Sequence, residues 1–193
     1  MADTTTPSRP APIVTTDKCI IRSYALSDAE ASAAGANHWE VVQFMRDTFP
    51  FPYTIDNANF WIDSCMKADP MVNFAIFNLE GTFVGGIGLK PLADVERRTN
   101  EVGYWIVPEH HGKGYATSAL KGFTAWAFKR FPELLRIEAT VFSDNKGSPK
   151  VLERVGYILE GVRRKAVIKK EKVQDILIYA MIRDDFEAQH ESK

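Results

Sequence analysis

Cysteine is scarce in this chain, with only Cys19 and Cys65 among 193 residues. Two isolated thiols build neither a disulfide framework nor a metal-ligand spacing, so no metal is expected and a reducing, cytoplasmic setting is. Net charge is nearly absent too: 24 basic side chains stand against 25 acidic ones, for a balance of −1. A protein that binds nucleic acid or a membrane surface as a whole needs a strong excess of one sign. No apolar run approaches the roughly 20 residues that cross a bilayer, and the opening MADTTTPSRP lacks the apolar centre of a secretory leader. Internal repeats and low-complexity linkers are missing as well. Residues 1–12, rich in Thr, Ser and Pro, offer nothing to bury and are expected to form a flexible tail. One compact domain is expected over 13–186, followed by a frayed tail over 187–193.

What is present is an ordinary globular composition, 45% hydrophobic and 25% charged. The charges are unevenly spread. Residues 1–100 carry 8 Lys and Arg against 12 Asp and Glu, which leaves 16 against 13 for residues 101–193. An anionic ligand is therefore easier to hold in the second half. A first strand is expected over 18–24, a helix starting near Ser27, and a loosely helical stretch over 36–46 that contains Trp39. Pro50 and Pro52 force extended backbone before them. Thr54 suits the cap of a helix running to about Lys67. Residues 72–79, 82–90 and 98–107 read as strands, with Glu80-Gly81 as a hairpin turn. A helical period over 115–130 places Ala116, Ala119, Leu120, Phe123 and Ala127 on one face, and Pro132 ends it. Residues 135–142 alternate as a strand, a short helix stops at Gly156, and 157–168 with 173–182 form a final hairpin. The order predicts an α/β (α+β) fold with one central, mostly antiparallel mixed sheet of about seven strands and about four helices.

The segment Trp105-Ile-Val-Pro-Glu-His-His-Gly-Lys-Gly-Tyr-Ala-Thr117 carries the most chemical information. A strand ends, a short loop supplies Gly112 and Gly114, and an amphipathic helix begins at once. Glycine lets backbone N–H groups face a ligand without a Cβ in the way. A helix start adds unpaired N–H groups and about half a positive charge. Together they suit phosphate, with Lys113 as a mobile cation. The two glycines taken alone are equally a tight strand-to-helix turn. The spacing is neither a P-loop nor a dinucleotide-binding fingerprint.

His111-Gly112-Lys113-Gly114-Tyr115-Ala116 resembles the Q/R-x-x-G-x-G/A acetyl-CoA loop of the GNAT N-acetyltransferases. The flanking Glu101-Val-Gly-Tyr-Trp-Ile and Gly-Tyr-Ala-Thr-Ser-Ala-Leu resemble the RimJ/RimL branch, which acetylates protein N-termini. Phe51-Pro-Tyr-Thr-Ile-Asp-Asn-Ala is similar to that branch's entry to its second helix. Asn145-Lys-Gly-Ser148-Pro-Lys-Val-Leu-Glu-Arg-Val-Gly-Tyr157 and Asp175-Ile-Leu-Ile-Tyr-Ala-Met match two further stretches in the same order. The likeness covers roughly residues 18–185. It departs at His111, where Gln or Arg is usual, and at Pro149 directly after Ser148.

The resemblance implies an enzyme using acetyl-CoA and an amine acceptor, a protein N-terminus or a small amine, attacked directly in a ternary complex. Neither cysteine has an evident activating base for a covalent step. Cofactor contacts are implied for Trp105, Ile106, Val107, His111, Gly112, Lys113, Gly114, Tyr115, Ala116, Thr117, Asn145 and Ser148. The strand at 105–107 would pair with the pantetheine arm, and a splay from the next strand would free an N–H near Ile106 or Val107 for the thioester oxygen. Glu101 is the first candidate to accept the amine's proton, through a water, with Glu109 and Glu138 behind it. Ser148 is a candidate proton donor to the leaving sulfur, and Asn145 a partner of the pantetheine amide. Both residues also read as plain helix caps. Trp39, Tyr53 and Glu101 are expected to bind the acceptor. The run Arg163 to Lys172 reads more readily as a solvated hairpin tip than as a nucleic-acid contact. The other readings are a non-catalytic acyl-CoA-binding domain and, more remotely, an RNA-associated protein. A monomer and a homodimer both stay open.

Overall fold

The computed structural model describes residues 10–191. The eight strands are β1 (Pro12–Thr15), β2 (Cys19–Arg22), β3 (Asn73–Asn78), β4 (Phe83–Pro91), β5 (Thr99–Ile106), β6 (Arg136–Phe142), β7 (Ile158–Lys169) and β8 (Lys172–Ile182). The helices are α1 (Ala29–Ala36), α2 (Trp39–Val42), α3 (Ile55–Lys67), α4 (Tyr115–Arg130), α5 (Gly147–Val155) and α6 (Arg183–Glu191). The strands form one sheet in the order β1-β2-β3-β4-β5-β6-β8-β7. Every neighbouring pair is antiparallel except β5 and β6.

Side-chain alternation divides the sheet's two faces. Val102, Ile106, Ile137, Ala139 and Val141 point to the face covered by α4 and α5, where Leu120, Phe123, Phe128 and Leu152 are fully buried. On the other face Tyr24, Ala36, Ala58, Ile62, Phe77 and Phe83 form a second core under α1 and α3. A buried Arg22–Asp28 pair at 2.8 Å joins β2 to the start of α1. Thr54 caps α3 as expected: its Oγ1 accepts the Asn57 N–H while Asn57 Oδ1 accepts the Thr54 N–H. The helix over 115–130 has the expected bounds, and Gly156 closes α5 in the left-handed region at φ 104°.

Among the described residues the sheet has eight strands where about seven were expected, and there are six α-helices rather than about four. The added strand opens at Pro12, inside the expected tail. It sits at the sheet edge, where a residue without an N–H is tolerated. Residues 1–9 of that tail lie outside the described residues. At the other end α6 runs through 187–191, where fraying was expected, while 192–193 lie outside the described residues. The guanidinium of Arg183 anchors α6 by donating to the carbonyls of Phe128, Phe131 and Leu134, and Phe186 packs on Phe128 at 5.1 Å.

Candidate active site

The glycine elbow leaves one side of the chain open. Gly112 and Gly114 have φ of 73° and 86°, conformations that side chains adopt at a cost. A Cβ at Gly112 would meet nothing within 4 Å, so that side of the loop is open. The first intrahelical bond of α4 runs from Ser118 N–H to Gly114 O, at 3.1 Å. The amides of Tyr115, Ala116 and Thr117 precede it and have no helical acceptor. No acidic residue lies in that first turn to offset its positive end. The two glycines make a tight strand-to-helix turn, and the loop also has open space and amides without a helical acceptor. His111 has a structural duty here. Its Nε2 lies 2.7 Å from the Ile106 carbonyl, so Nε2 carries a proton and pins the loop to the end of β5.

Beside β5 the sheet opens. The parallel seam with β6 has only three aligned pairs, Thr99↔Arg136, Asn100↔Ile137 and Glu101↔Glu138. Beyond Glu101 the strands part. Val107 N–H bonds Val84 O at 2.8 Å, and Leu92 N–H bonds Thr99 O at 3.1 Å. In an antiparallel ladder this commits odd-numbered residues of β5 to β4 and turns even-numbered ones the other way. Of the expected trio, Ile106 alone presents its N–H to the gap, joined by Tyr104. The amides of Trp105 and Val107 are directed at β4. The Trp105 side chain lies on the α1 face, against Phe49 and Phe83.

Across the gap stands the start of α5. Asn145 Oδ1 accepts the N–H groups of Gly147 and Ser148 at 3.2 and 3.1 Å, and its Nδ2 donates to Ser148 Oγ at 3.1 Å. The capping reading of Asn145 therefore holds. Ser148 Oγ receives this bond and keeps its own proton to give. Tyr104 Oη, whose pKa burial pushes up to about 12, makes a long 3.5 Å contact to the Ser148 carbonyl.

Glu101 lies on the opposite face from α5. Its carboxylate takes a short bond from Thr140 Oγ1 and two from Arg46 Nη2, at 3.0 and 3.3 Å. Lys90 Nζ is 4.0 Å away. The Glu101 side chain is 15% exposed and that of Arg46 57%, so the guanidinium roofs the carboxylate. Arg46 and Thr140 were not singled out from the sequence. Arg46 lies in an irregular stretch with no motif, and Thr140 is one of several β-branched strand residues. Glu138 is held by Arg136, which also grips Glu160 and keeps that carboxyl below its ordinary range. Glu109 is exposed, 4.0 Å from His38.

The expected acceptor residues separate. Tyr53 is core: it is buried against Phe49 at 4.8 Å, and burial pushes its hydroxyl up to about 12. Trp39 stays half-exposed, 5.8 Å from the Phe51 ring, and Lys170 Nζ sits 3.8 Å from its centroid. The β7–β8 tip is not simply solvated, in contrast to the expectation for 163–172. Lys169 is 9% exposed, and its Nζ donates to Met45 O at 2.9 Å and Asp47 Oδ1 at 2.7 Å. Lys170 and Glu171 both have positive φ, as a tight hairpin turn requires. That turn swings the lysines onto the 45–51 stretch. Both thiols are buried, and burial pushes Cys65 up to about 12. Among the described residues, no cluster of three His, Cys, Asp or Glu could hold a metal, and no helix is long and apolar enough to cross a membrane.

The fold is an open mixed sheet parted beside one strand, with a glycine elbow leading into a helix. Residues 18–158 match the acetyltransferase (GNAT) domain, and the chain belongs to that family as an N-acetyltransferase. It is 30% identical over 186 residues to the uncharacterized N-acetyltransferase YoaA of Bacillus subtilis (strain 168), covering 89% of this chain and 97% of YoaA. It is 32% identical over 111 residues to the ribosomal-protein-serine acetyltransferase of Escherichia coli (strain K12), covering 58% of this chain and 60% of that one. Its fold is similar to that of Mycobacterium smegmatis RimJ, solved in complex with CoA-disulfide. That likeness has a TM-score of 0.76 at 23% identity, over 91% of this chain and 86% of RimJ.

Proposed function

We propose that this protein moves the acetyl group of acetyl-CoA onto a primary amine, a protein N-terminal α-amine or the amine of a small molecule, by direct attack in a ternary complex. The observation that carries this is the parting of β5 from β6 immediately beyond Glu101↔Glu138. The opening joins the α4–α5 face, which holds the cradle, to the face that holds Glu101.

The cradle fits a nucleotide diphosphate. Gly112 leaves open space, and the amides from Gly114 to Thr117 lie at a positive helix end whose own first turn holds no acid. Lys113 adds a mobile cation. Bound acetyl-CoA supplies a thioester carbonyl open to attack by an amine. Ile106 offers its N–H in the gap, the natural donor to an oxygen that gains charge there. Glu101, oriented by Thr140, accepts the amine's proton. Ser148, its Oγ already holding the Asn145 amide, passes its proton to the departing sulfur and regains one from solvent, so that CoA leaves as the thiol. Trp39 forms the lip on the acceptor side. The buried thiols of Cys19 and Cys65 favour direct transfer over an acetyl-cysteine step.

The test is release of CoA thiol from acetyl-CoA against peptides with free Ser or Ala N-termini, spermidine and an aminoglycoside. Turnover with at least one class is expected. CoA binding without turnover on any of them would leave a binding domain only. With the responding acceptor, Glu101→Gln should lose more rate near neutral pH than at about pH 9.5, where free amine is plentiful. An equal loss at both would remove Glu101 as the base.

A further inference from the structure

We propose that Lys18, on the turn between β1 and β2, is a phosphate-binding residue of the cradle; this rests on the acetyl-CoA reading above. It is nearly a hundred residues from the glycine elbow in sequence, and nothing in the elbow's spacing points to it.

The turn is rigidly made. Thr16 Oγ1 accepts the N–H groups of Lys18 and Cys19, at 3.2 and 2.9 Å, and Thr16 N–H bonds Cys19 O at 2.9 Å. It is also tied to the first turn of α4. Ser118 Oγ lies 2.8 Å from Thr16 Oγ1 and 3.0 Å from Asp17 Oδ1. Asp17, the acid nearest in sequence, is thereby turned toward Ser118. These bonds bring the Lys18 side chain over Gly114. A Cβ built there would lie 3.2 Å from Lys18 Cε, 3.4 Å from Cδ and 3.8 Å from Nζ.

This places one ammonium against the positive end of α4, close to the loop that carries Lys113. A cation against a positive helix end is unfavourable unless an anion joins it, and Asp17 is taken up by Ser118. Lys18 makes no ion pair among the described residues. The ligand chemistry that answers two lysines and a row of free amides is phosphate. CoA offers two sources, its diphosphate and its ribose 3′-phosphate. Contact with Gly114 itself favours the diphosphate.

The test is calorimetry with CoA and with dephospho-CoA, which keeps the diphosphate and lacks the 3′-phosphate. Lys18→Met keeps the apolar stem and removes the charge. It should weaken CoA binding about three- to tenfold, flatten the dependence on salt and leave the ligand-free melting temperature unchanged. Lys18→Arg should restore most of the loss. An equal loss with dephospho-CoA assigns Lys18 to the diphosphate; a loss seen only with CoA assigns it to the 3′-phosphate and overturns the diphosphate choice. Ser118→Ala should weaken CoA binding in the wild-type background and have little effect in Lys18→Met, because its part is to position that lysine. If wild type binds CoA and Lys18→Met binds it within twofold, Lys18 is not a phosphate ligand. If wild type itself fails to bind CoA, the cofactor reading fails first.

Discussion

Arg46 Nη2 lies 3.0 Å from Oε1 and 3.3 Å from Oε2 of Glu101, so a cation already occupies the carboxylate that an incoming amine would have to reach. The pair is half open to water, and an exposed pair of this kind contributes about 1 kcal/mol or less. An ammonium can replace a guanidinium there at small cost, because the charge on Glu101 stays balanced. Arg46→Met should therefore lower the acceptor KM by up to about fivefold and leave kcat within about twofold, with Thr140 still orienting the carboxylate. Arg46→Lys should fall between the two. A raised KM in Arg46→Met would show that the guanidinium assists the acceptor instead of yielding to it.

The two glycines of the elbow should answer differently to substitution. Both have positive φ, so Ala at either costs about 1–2 kcal/mol of backbone strain. At Gly112 that is the whole effect on the free fold, since the space beyond is open. At Gly114 a side chain also meets Lys18. Gly112→Ala should melt a few degrees lower and weaken CoA binding, because its Cβ enters the space the diphosphate uses, whereas Gly114→Trp should abolish binding with the circular dichroism spectrum intact. Unchanged calorimetric affinity in Gly114→Trp would contradict the cradle.

Lys169 fastens the last hairpin to the 45–51 stretch. Replacing it with Met removes the donor to Met45 O and leaves Asp47 without its partner. A loss of about 1–2 kcal/mol is expected, or ~2–8 °C in melting temperature for a chain of this size. Amide exchange should speed up in 45–51 and not in α4. Uniform acceleration, or none, would mean that the clamp does not hold that stretch.

Burial gives the protein a predictable alkaline limit. Tyr53 and Cys65 are both pushed up to about 12, from ordinary values of 10.0 and 9.0. The folded chain thus holds these protons more tightly than the unfolded chain. The resulting stability is complete below about pH 9 and is lost as pH climbs toward 12. Between pH 8 and 11 the loss should be on the order of 4 kcal/mol, ~8–16 °C in melting temperature. Tyr53→Phe, which cannot ionise, should flatten part of that fall. A melting temperature constant to pH 11 would rule the coupling out.

Much of the fold could be read from local signals. The α4 period, the Thr54 cap and the Gly156 stop each depend on residues close together in sequence, and each stands where its chemistry put it. The edge strand at Pro12 and the final helix were missed because tertiary partners hold them: pairing with β2 in one case, and the grip of Arg183 on the α4–β6 connection in the other. The site divides in the same way. Gly112 and Gly114 announce themselves by spacing. Arg46, Thr140 and Lys18 do not, since each acts on a group from 39 to almost a hundred residues away. Tyr53 was expected in the groove because aromatic residues near a helix start serve core and pocket alike, and only packing against Phe49 tells them apart.

The Lys169 bridge also has a bearing on assembly order. It spans 124 residues back to Met45, whereas the cradle draws on Lys18 and the stretch from β5 through α4. A growing polypeptide therefore completes β1 through α4 well before the hairpin that carries Lys169 emerges, and the 45–51 stretch stays unfastened until the last two strands have been made.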